Sequence, residues 1–216
     1  MERILETEYM DTAEEASSYA AMPNETNNIA VTEFFLEAGG GQGVTLDIGT
    51  GPGDIPILIA QRAEAARIVA VDAAEHMLRV ARERVANAGF AERITLQRCD
   101  AKALPFGDHS FDNVISNTIL HHIPEPLFFL KEAARVRKPG GVLVIRDLYR
   151  PETEEQAHEL VRLHASTATD DQQKMLFDSL HAGLTLDEAR AMVAEVGMTG
   201  ASVEMTSDRH YTIVWK

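Results

Sequence analysis

The nine residues LDIGTGPGD, Leu46 to Asp54, constrain this chain more than any other stretch. An apolar run leads into Asp47, glycines fall at 49, 51 and 53, and a helix-patterned segment follows at once. Glycine lets the backbone turn tightly and approach a ligand with no side chain in between. The first amides of a following helix are unpaired and suit an anionic group. Three alternating glycines exceed what a simple turn needs, so the segment predicts a ligand loop at a strand–helix junction.

The flanking pattern agrees. Short apolar runs at Val44–Ile48, Ile68–Val71, Ile94–Leu96, Phe111–Ile115 and Val142–Ile145 alternate with helical stretches at Ile55–Arg62, Glu75–Ala88 and Leu127–Arg135. In the second helix Met77, Leu78, Ala81, Val85 and Ala88 share a face. Alternation of this kind predicts a parallel sheet with right-handed crossovers and helices on both faces. Asn87-Ala88-Gly89 and Lys138-Pro139-Gly140-Gly141 read as helix stops. Ahead of this core, Asn27-Asn28 reads as the cap of a helix carrying Ile29, Val31, Phe34, Phe35 and Leu36, ended by Gly39-Gly40-Gly41. After Asp147 the chain is expected to be helical from Pro151 to about Leu180, with a further helix Leu186–Val196 between the cap Thr185 and Gly197. Two late strands, Ser202–Met205 and His210–Trp215, are expected to pair through the turn at Thr206–Arg209. The division that results is an N-terminal helical cap over 1–42 and an α/β domain over 43–216, with a helical insertion at about 151–183.

Charge narrows the ligand. A nicotinamide fingerprint, G-x-G-x-x-G, would put its third glycine where this chain has Asp54. Asp54 and Asp47 would repel a diphosphate at the helix start, whereas a ligand with a sulfonium and an ammonium tolerates both. Asp72 ends the second run, 23 residues after Gly49; a carboxylate there can accept from vicinal ribose hydroxyls, or cap the helix at Glu75. Asp100, in RCDAKALPFGDHSFD, can accept from an exocyclic adenine amine, with the Ala101 amide donating to the ring, or serve as a turn aspartate.

The formal net charge is −14, and the first forty residues carry nine acids against the single base Arg3. This disfavours nucleic acid, whose phosphates need basic side chains, and an anionic membrane surface. No run approaches ~18 apolar residues, so no membrane span is expected. The segment MERILETEYMD lacks the basic and apolar parts of a signal peptide, and a cytoplasmic location is expected. The one cysteine, Cys99, allows no internal disulfide.

Taken together, LDIGTGPGD, VAVDAAEHML, RCDAKALPFGDHSFD and VRKPGGVLVIRD resemble the class I S-adenosylmethionine-dependent methyltransferases, in particular the branch acting on small metabolites such as quinone precursors. The resemblance runs from about Val44 to Asp147. It implies a Rossmann-like doubly wound sheet of seven strands, order 3-2-1-4-5-7-6, with the last strand antiparallel. It also implies S-adenosylmethionine as cofactor, S-adenosylhomocysteine as product and a small-molecule acceptor, in a monomer or homodimer. Carried over residue by residue, Asp47, Gly49, Thr50 and Gly51 would flank the amino-acid part of the cofactor. Asp72 would hold the ribose, Ala73 and Met77 would pack by the nucleoside, Asp100 and Ala101 would read the adenine, and Asn117 would line the methyl-bearing side.

Ligands of open α/β sheets sit outside the carboxyl ends of the strands. There SNTILHHIPEP and IRDLYRP offer Asn117, His121, His122, Arg146, Asp147, Tyr149 and Arg150. Asn117, His121 and His122 are the candidate catalytic residues, since a histidine can act as a base near neutral pH where the acceptor carries a proton. Adjacent histidines are expected to diverge. No cysteine or spaced His/Asp set completes a metal site around them, so no metal is expected. Arg146 or Arg150 could hold an acceptor carboxylate, or pair with Asp147, Glu152 or Glu154. His210 and Tyr211 could reach the pocket from the last strand, and the Tyr9–Tyr19 segment could cover the cofactor. In the helical insertion, Leu160, Leu163, Met175, Leu176, Phe177 and Leu180 could wall an apolar acceptor chamber. Two other functions fit parts of the pattern: a nicotinamide-dependent oxidoreductase, and a cofactor-binding subunit or sensor without catalysis.

Overall fold

Four of the five apolar runs assemble into the interior of a sheet because they are buried on both faces, which only helices on either side can achieve; the run at Ile94–Leu96 forms the edge strand and is only partly buried. The computed structural model describes residues 1–6, 11–22 and 24–216; of the Tyr9–Tyr19 segment, Tyr9 and Met10 lie outside them. Among the described residues the strands are β1 (Val44–Ile48), β2 (Arg67–Asp72), β3 (Ile94–Arg98), β4 (Phe111–Asn117), β5 (Arg137–Leu148), β6 (Ser202–Met205) and β7 (His210–Trp215). Their order in the sheet is β3-β2-β1-β4-β5-β7-β6. The first five run parallel, and β7 pairs antiparallel with both β5 and β6. This is the doubly wound order expected from the sequence.

The helices are α1 (Ala13–Ala20), α2 (Glu25–Glu37), α3 (Asp54–Arg62), α4 (Glu75–Asn87), α5 (Pro126–Val136), α6 (Glu154–His164), α7 (Asp170–Ala182) and α8 (Leu186–Val196). Side chains alternate across the sheet, so each strand feeds two cores. Val142 and Val144 of β5 face Phe35 of α2 and Ile55 and Ile59 of α3. Leu143 and Ile145, one residue out of phase, join Phe129 and Leu130 of α5, Val193 of α8 and Tyr211 of β7. A smaller cluster, Leu148, Ala157, Val161 and Leu180, holds α6 and α7 together against the end of β5. Among the described residues no helix is long and apolar enough to cross a membrane.

Two local expectations are corrected. Helix α2 starts at Glu25 behind Asn24, so Asn27 and Asn28 lie in its first turn, and Asn24 makes no side-chain capping bond. Lys138-Pro139-Gly140-Gly141 does follow a helix, but it lies inside β5. The pairing with β4 slips there, from Phe111↔Arg137 to Asn113↔Val142. Proline and glycine are tolerated in such a strand at a bulge, where the ladder is already interrupted.

Candidate active site

The order of the sheet reverses between β1 and β4, and a crevice opens at the carboxyl ends of the strands there. The glycine loop forms its floor. Gly49 has φ +74°, and a Cβ on it would lie 2.3 Å from Ile119, so the loop after β4 packs directly on its backbone. Gly51 has φ +53°, and the nearest atom to a Cβ there is 3.8 Å away, on Tyr19. Its backbone therefore faces open space. Asp72, at the end of β2, accepts from the Gly51 amide at 2.8 Å and from the Ala74 amide at 2.9 Å. It thus ties the second strand to the loop. The cap position of α4 is Ala74 rather than Asp72. Burial pushes the Asp72 carboxyl upward, against the pull of these amides.

The crevice holds a cavity of about 740 Å³, within the usual range for a small-molecule site. Gly49, Thr50, Gly51, Asp72, Ala73, Met77, Asp100, Ala101 and Asn117 all line it. Asp47 does not. It is fully buried beneath the loop, both carboxylate oxygens lack hydrogen-bond partners, and the nearby Thr50 hydroxyl makes no bond of normal geometry. Burial, reinforced by the charge of Asp72, pushes its pKa up to about 7 although Thr50 pulls the other way. Asp47 is therefore not part of the cavity wall in this arrangement. Asp54 also departs from expectation: its carboxylate is gripped by Arg84 at 2.8 and 2.9 Å. The guanidinium offsets the charge invoked against a diphosphate, so of the two acids in that argument Asp47 alone remains uncompensated. Asp100 is exposed and paired with Lys102 at 3.1 Å.

A second cavity of about 200 Å³ adjoins the first and shares Tyr19, Asn117, Thr118 and His122 with it. Thr118 has φ +55°, a costly conformation for a branched residue. The strand-like bond from its amide to the Arg146 carbonyl, 2.8 Å, holds it. The Asn117 Oδ1 is buried and accepts no hydrogen bond.

Both histidines line this second cavity. They sit on a single 3-10 turn, Leu120–His122, with ring centroids 4.0 Å apart. The expected divergence is absent because a 3-10 turn, unlike a strand, does not send successive side chains to opposite faces. The His121 Nδ1 lies 2.6 Å from Asp147 Oδ1, and Asp147 also accepts from the Leu120 and Leu148 amides. Burial lowers the affinity of His121 for a proton, but the Asp147 charge and hydrogen bond, with Glu6, outweigh it and hold the pKa above the ordinary histidine value. The Glu6 Oε2 is 3.4 Å from His122 Nδ1.

Arg146 and Arg150 do not line either cavity. Arg146 turns to His210, 3.0 Å away, and Arg150 to Glu188, 2.6 Å away, rather than to Asp147, Glu152 or Glu154. The cation that faces the second cavity is Arg209, beside His210; Tyr211 is in the core. Burial and the charges of Arg146 and Arg209 push His210 down to about 2, so the ring is neutral. Of the six apolar insertion residues, Met175 and Leu176 line the cavity. Leu163 is exposed, and Leu160, Phe177 and Leu180 pack within the α6–α7 cluster. Sequence reasoning missed Glu6, Arg3 and Thr118. Arg3 donates to the carbonyls of Ala182, Pro124, His121 and Ile123, strapping the N-terminus across α7 and the histidine turn. Its one available signal was being the lone base among nine acids.

Comparison with known proteins places this geometry among relatives. The methyltransferase domain family (Methyltransf_11) matches residues 46–145. The ubiquinone/menaquinone biosynthesis C-methyltransferase UbiE of Geobacter sulfurreducens is 37% identical over 110 residues, 50% of this chain and 43% of that protein. The 27-O-demethylrifamycin SV methyltransferase of Amycolatopsis mediterranei is 31% identical over 163 residues, 75% of this chain and 56% of that protein. The match thus spans about half the length of these relatives. A crystal structure of an S-adenosylmethionine-dependent methyltransferase from Aquifex aeolicus superposes with a TM-score of 0.69, covering 95% of this chain and 98% of that one at 19% identity, which speaks for the fold alone.

Proposed function

Because residues 46–145 match the methyltransferase domain family, we propose that the chain transfers a methyl group from S-adenosylmethionine to a small organic acceptor. The observation that carries this reading is the pair of adjoining cavities with a shared wall at Asn117, Thr118 and His122. A large chamber suits the nucleoside, a small one suits the acceptor, and the wall between them is where a methyl group would pass. The names of the two curated relatives, one from quinone biosynthesis and one acting on a rifamycin, support a small organic acceptor.

The chain's own residues divide the work. The bare backbone of Gly49 and Gly51, with Thr50, receives the amino-acid part, and the Asn117 Oδ1 offers its unused acceptor to an ammonium. Asp72 keeps lone pairs for ribose hydroxyls beyond the two amides it accepts. Ala73 and Met77 pack on the nucleoside, and Asp100 with the Ala101 amide meets the adenine edge. S-adenosylmethionine, when bound, supplies a methyl group on a positively charged sulfur. Holding the acceptor in line with it supplies much of the acceleration. His121 and His122, with Asn117, are the polar groups that orient the acceptor. Helices α1 and α2 cover the cofactor side, and 151–183 covers the acceptor side and excludes water. The reading includes a cytoplasmic protein, monomeric or homodimeric, that binds neither nucleic acid nor membrane.

Calorimetric titration with S-adenosylhomocysteine tests it. Binding is expected in the wild type. Asp72→Ala should weaken it by about 1.5–3 kcal/mol, the value of hydrogen bonds to a charged group. Binding of NADH in place of the homocysteine compound would overturn the assignment. Binding without label transfer from methyl-labelled donor to any member of a metabolite panel would favour the silent subunit.

A further inference from the structure

We propose that Glu6, His121 and His122 form a binding site for a zinc-class divalent cation beside the small chamber. One carboxylate oxygen and one nitrogen from each ring lie within 4.8 Å of one another. Around a tetrahedral zinc with bonds of about 2.0–2.1 Å, ligand atoms sit about 3.4 Å apart. Glu6 Oε2 and His122 Nδ1 are already 3.4 Å apart. Bringing the His121 nitrogen in requires a side-chain shift of up to about 1.4 Å from the 4.8 Å limit.

The surroundings favour an ion over a plain ion-pair cluster. Asp147 takes the His121 Nδ1 at 2.6 Å and leaves Nε2 as the ligating nitrogen. A carboxylate behind a histidine is the arrangement that orients metal-bound imidazoles. Asp147 is itself fixed by the amides of Leu120 and Leu148, at 2.6 and 2.7 Å. The Glu6 Oε1 is buried and makes no hydrogen bond of normal geometry, although the Ser179 side chain pulls on the carboxylate; an ion would relieve the remaining cost of burial. Two imidazoles and a carboxylate are the three-ligand set of open zinc sites, whose fourth position takes water or substrate. Magnesium and calcium prefer oxygen ligands throughout. The two histidines line the small chamber, so a fourth ligand would come from an oxygen-bearing molecule there. Glu6 reaches the histidines because the Arg3 strap is pinned on the carbonyls of His121 and Ile123. The site therefore joins residues 115 positions apart in the chain.

The test uses the whole chain, stripped with chelator and titrated calorimetrically with zinc, then with magnesium. One zinc per chain is expected, with no comparable magnesium binding. Glu6→Gln and His122→Ala should each weaken zinc about 100-fold, and Asp147→Asn by about 10–100-fold. His109→Ala, at the other end of β4, should leave the affinity unchanged. Cobalt in place of zinc should give the visible absorption of a four-coordinate ion, and circular dichroism checks that each variant is folded. Zinc affinity no tighter than millimolar, or zinc binding indifferent to folded Glu6→Gln and His122→Ala, would overturn the site. Metal binding and cofactor binding are separate titrations, so either proposal can fail alone.

Discussion

At the scale of single residues, the strongest tension lies at Asp47. An aspartate in the unfolded chain titrates near 3.9, whereas burial holds Asp47 at about 7 in the fold. The folded state therefore holds this proton more tightly than the unfolded chain does. The stability from that proton is complete below about pH 4 and is lost as pH rises through 7. Its ceiling is on the order of 4 kcal/mol. An amide in place of this carboxyl is neutral at every pH. Asp47→Asn should therefore gain stability over the wild type progressively between about pH 4 and about pH 7 in ligand-free protein. Denaturant midpoints at the two ends check this. A constant gap between the proteins would mean that Asp47 is not strained by its charge. Gly49 is a second residue-scale constraint, because any side chain there strikes Ile119.

At the scale of elements, the acceptor side depends on two helices that meet the sheet through Leu148 at the end of β5. Helix α7 begins with a reciprocal pair of bonds between Thr169 and Gln172, and α6 with the same arrangement at Thr153 and Gln156. These satisfy amides that a helix start leaves unpaired. Met175 and Leu176 of α7 reach the small chamber. Thr169→Ala should remove about 1 kcal/mol from α7, which is roughly a fivefold change in its opening equilibrium. Hydrogen exchange should quicken by that factor in α7 while the amides of β1, β4 and β5 keep their rates. Equal acceleration across the sheet would mean that the insertion and the sheet open as one unit.

At the scale of the whole molecule, the two chambers meet where the sheet changes direction, and every wall comes from a different part of the chain. A ligand in the large chamber touches the glycine loop, the ends of β2 and β4, and Tyr19 of α1. Such a ligand stabilises the fold by mass action. At 100 times its dissociation constant, S-adenosylhomocysteine should contribute about 2.7 kcal/mol. For a chain of this size that is a rise in melting temperature of roughly 5–10 °C. Thermal scans over a concentration series check it, and a melting point independent of the ligand would contradict occupancy of the chamber.

What local pattern alone determined was the sheet and the floor of the large chamber. Val44–Ile48, the glycines and Asp72 each report a short-range requirement: burial of a strand, a backbone turn, a carboxylate at a strand end. Those requirements are written in neighbouring residues; the strand order that the sheet shows was implied by the family resemblance those motifs carry, and nine of the ten residues it marked for the cofactor line the large cavity. Tertiary structure decided the rest. Asp47 looked like a ligand residue until the loop closed above it. Asp54 looked like an uncompensated charge until α4 brought Arg84 to it from 30 positions away. The histidines looked divergent until a 3-10 turn aligned them and the N-terminal strap delivered Glu6. Charge compensation and metal-ligand geometry are properties of through-space neighbours, and no spacing along the chain encodes a neighbour that arrives from another element.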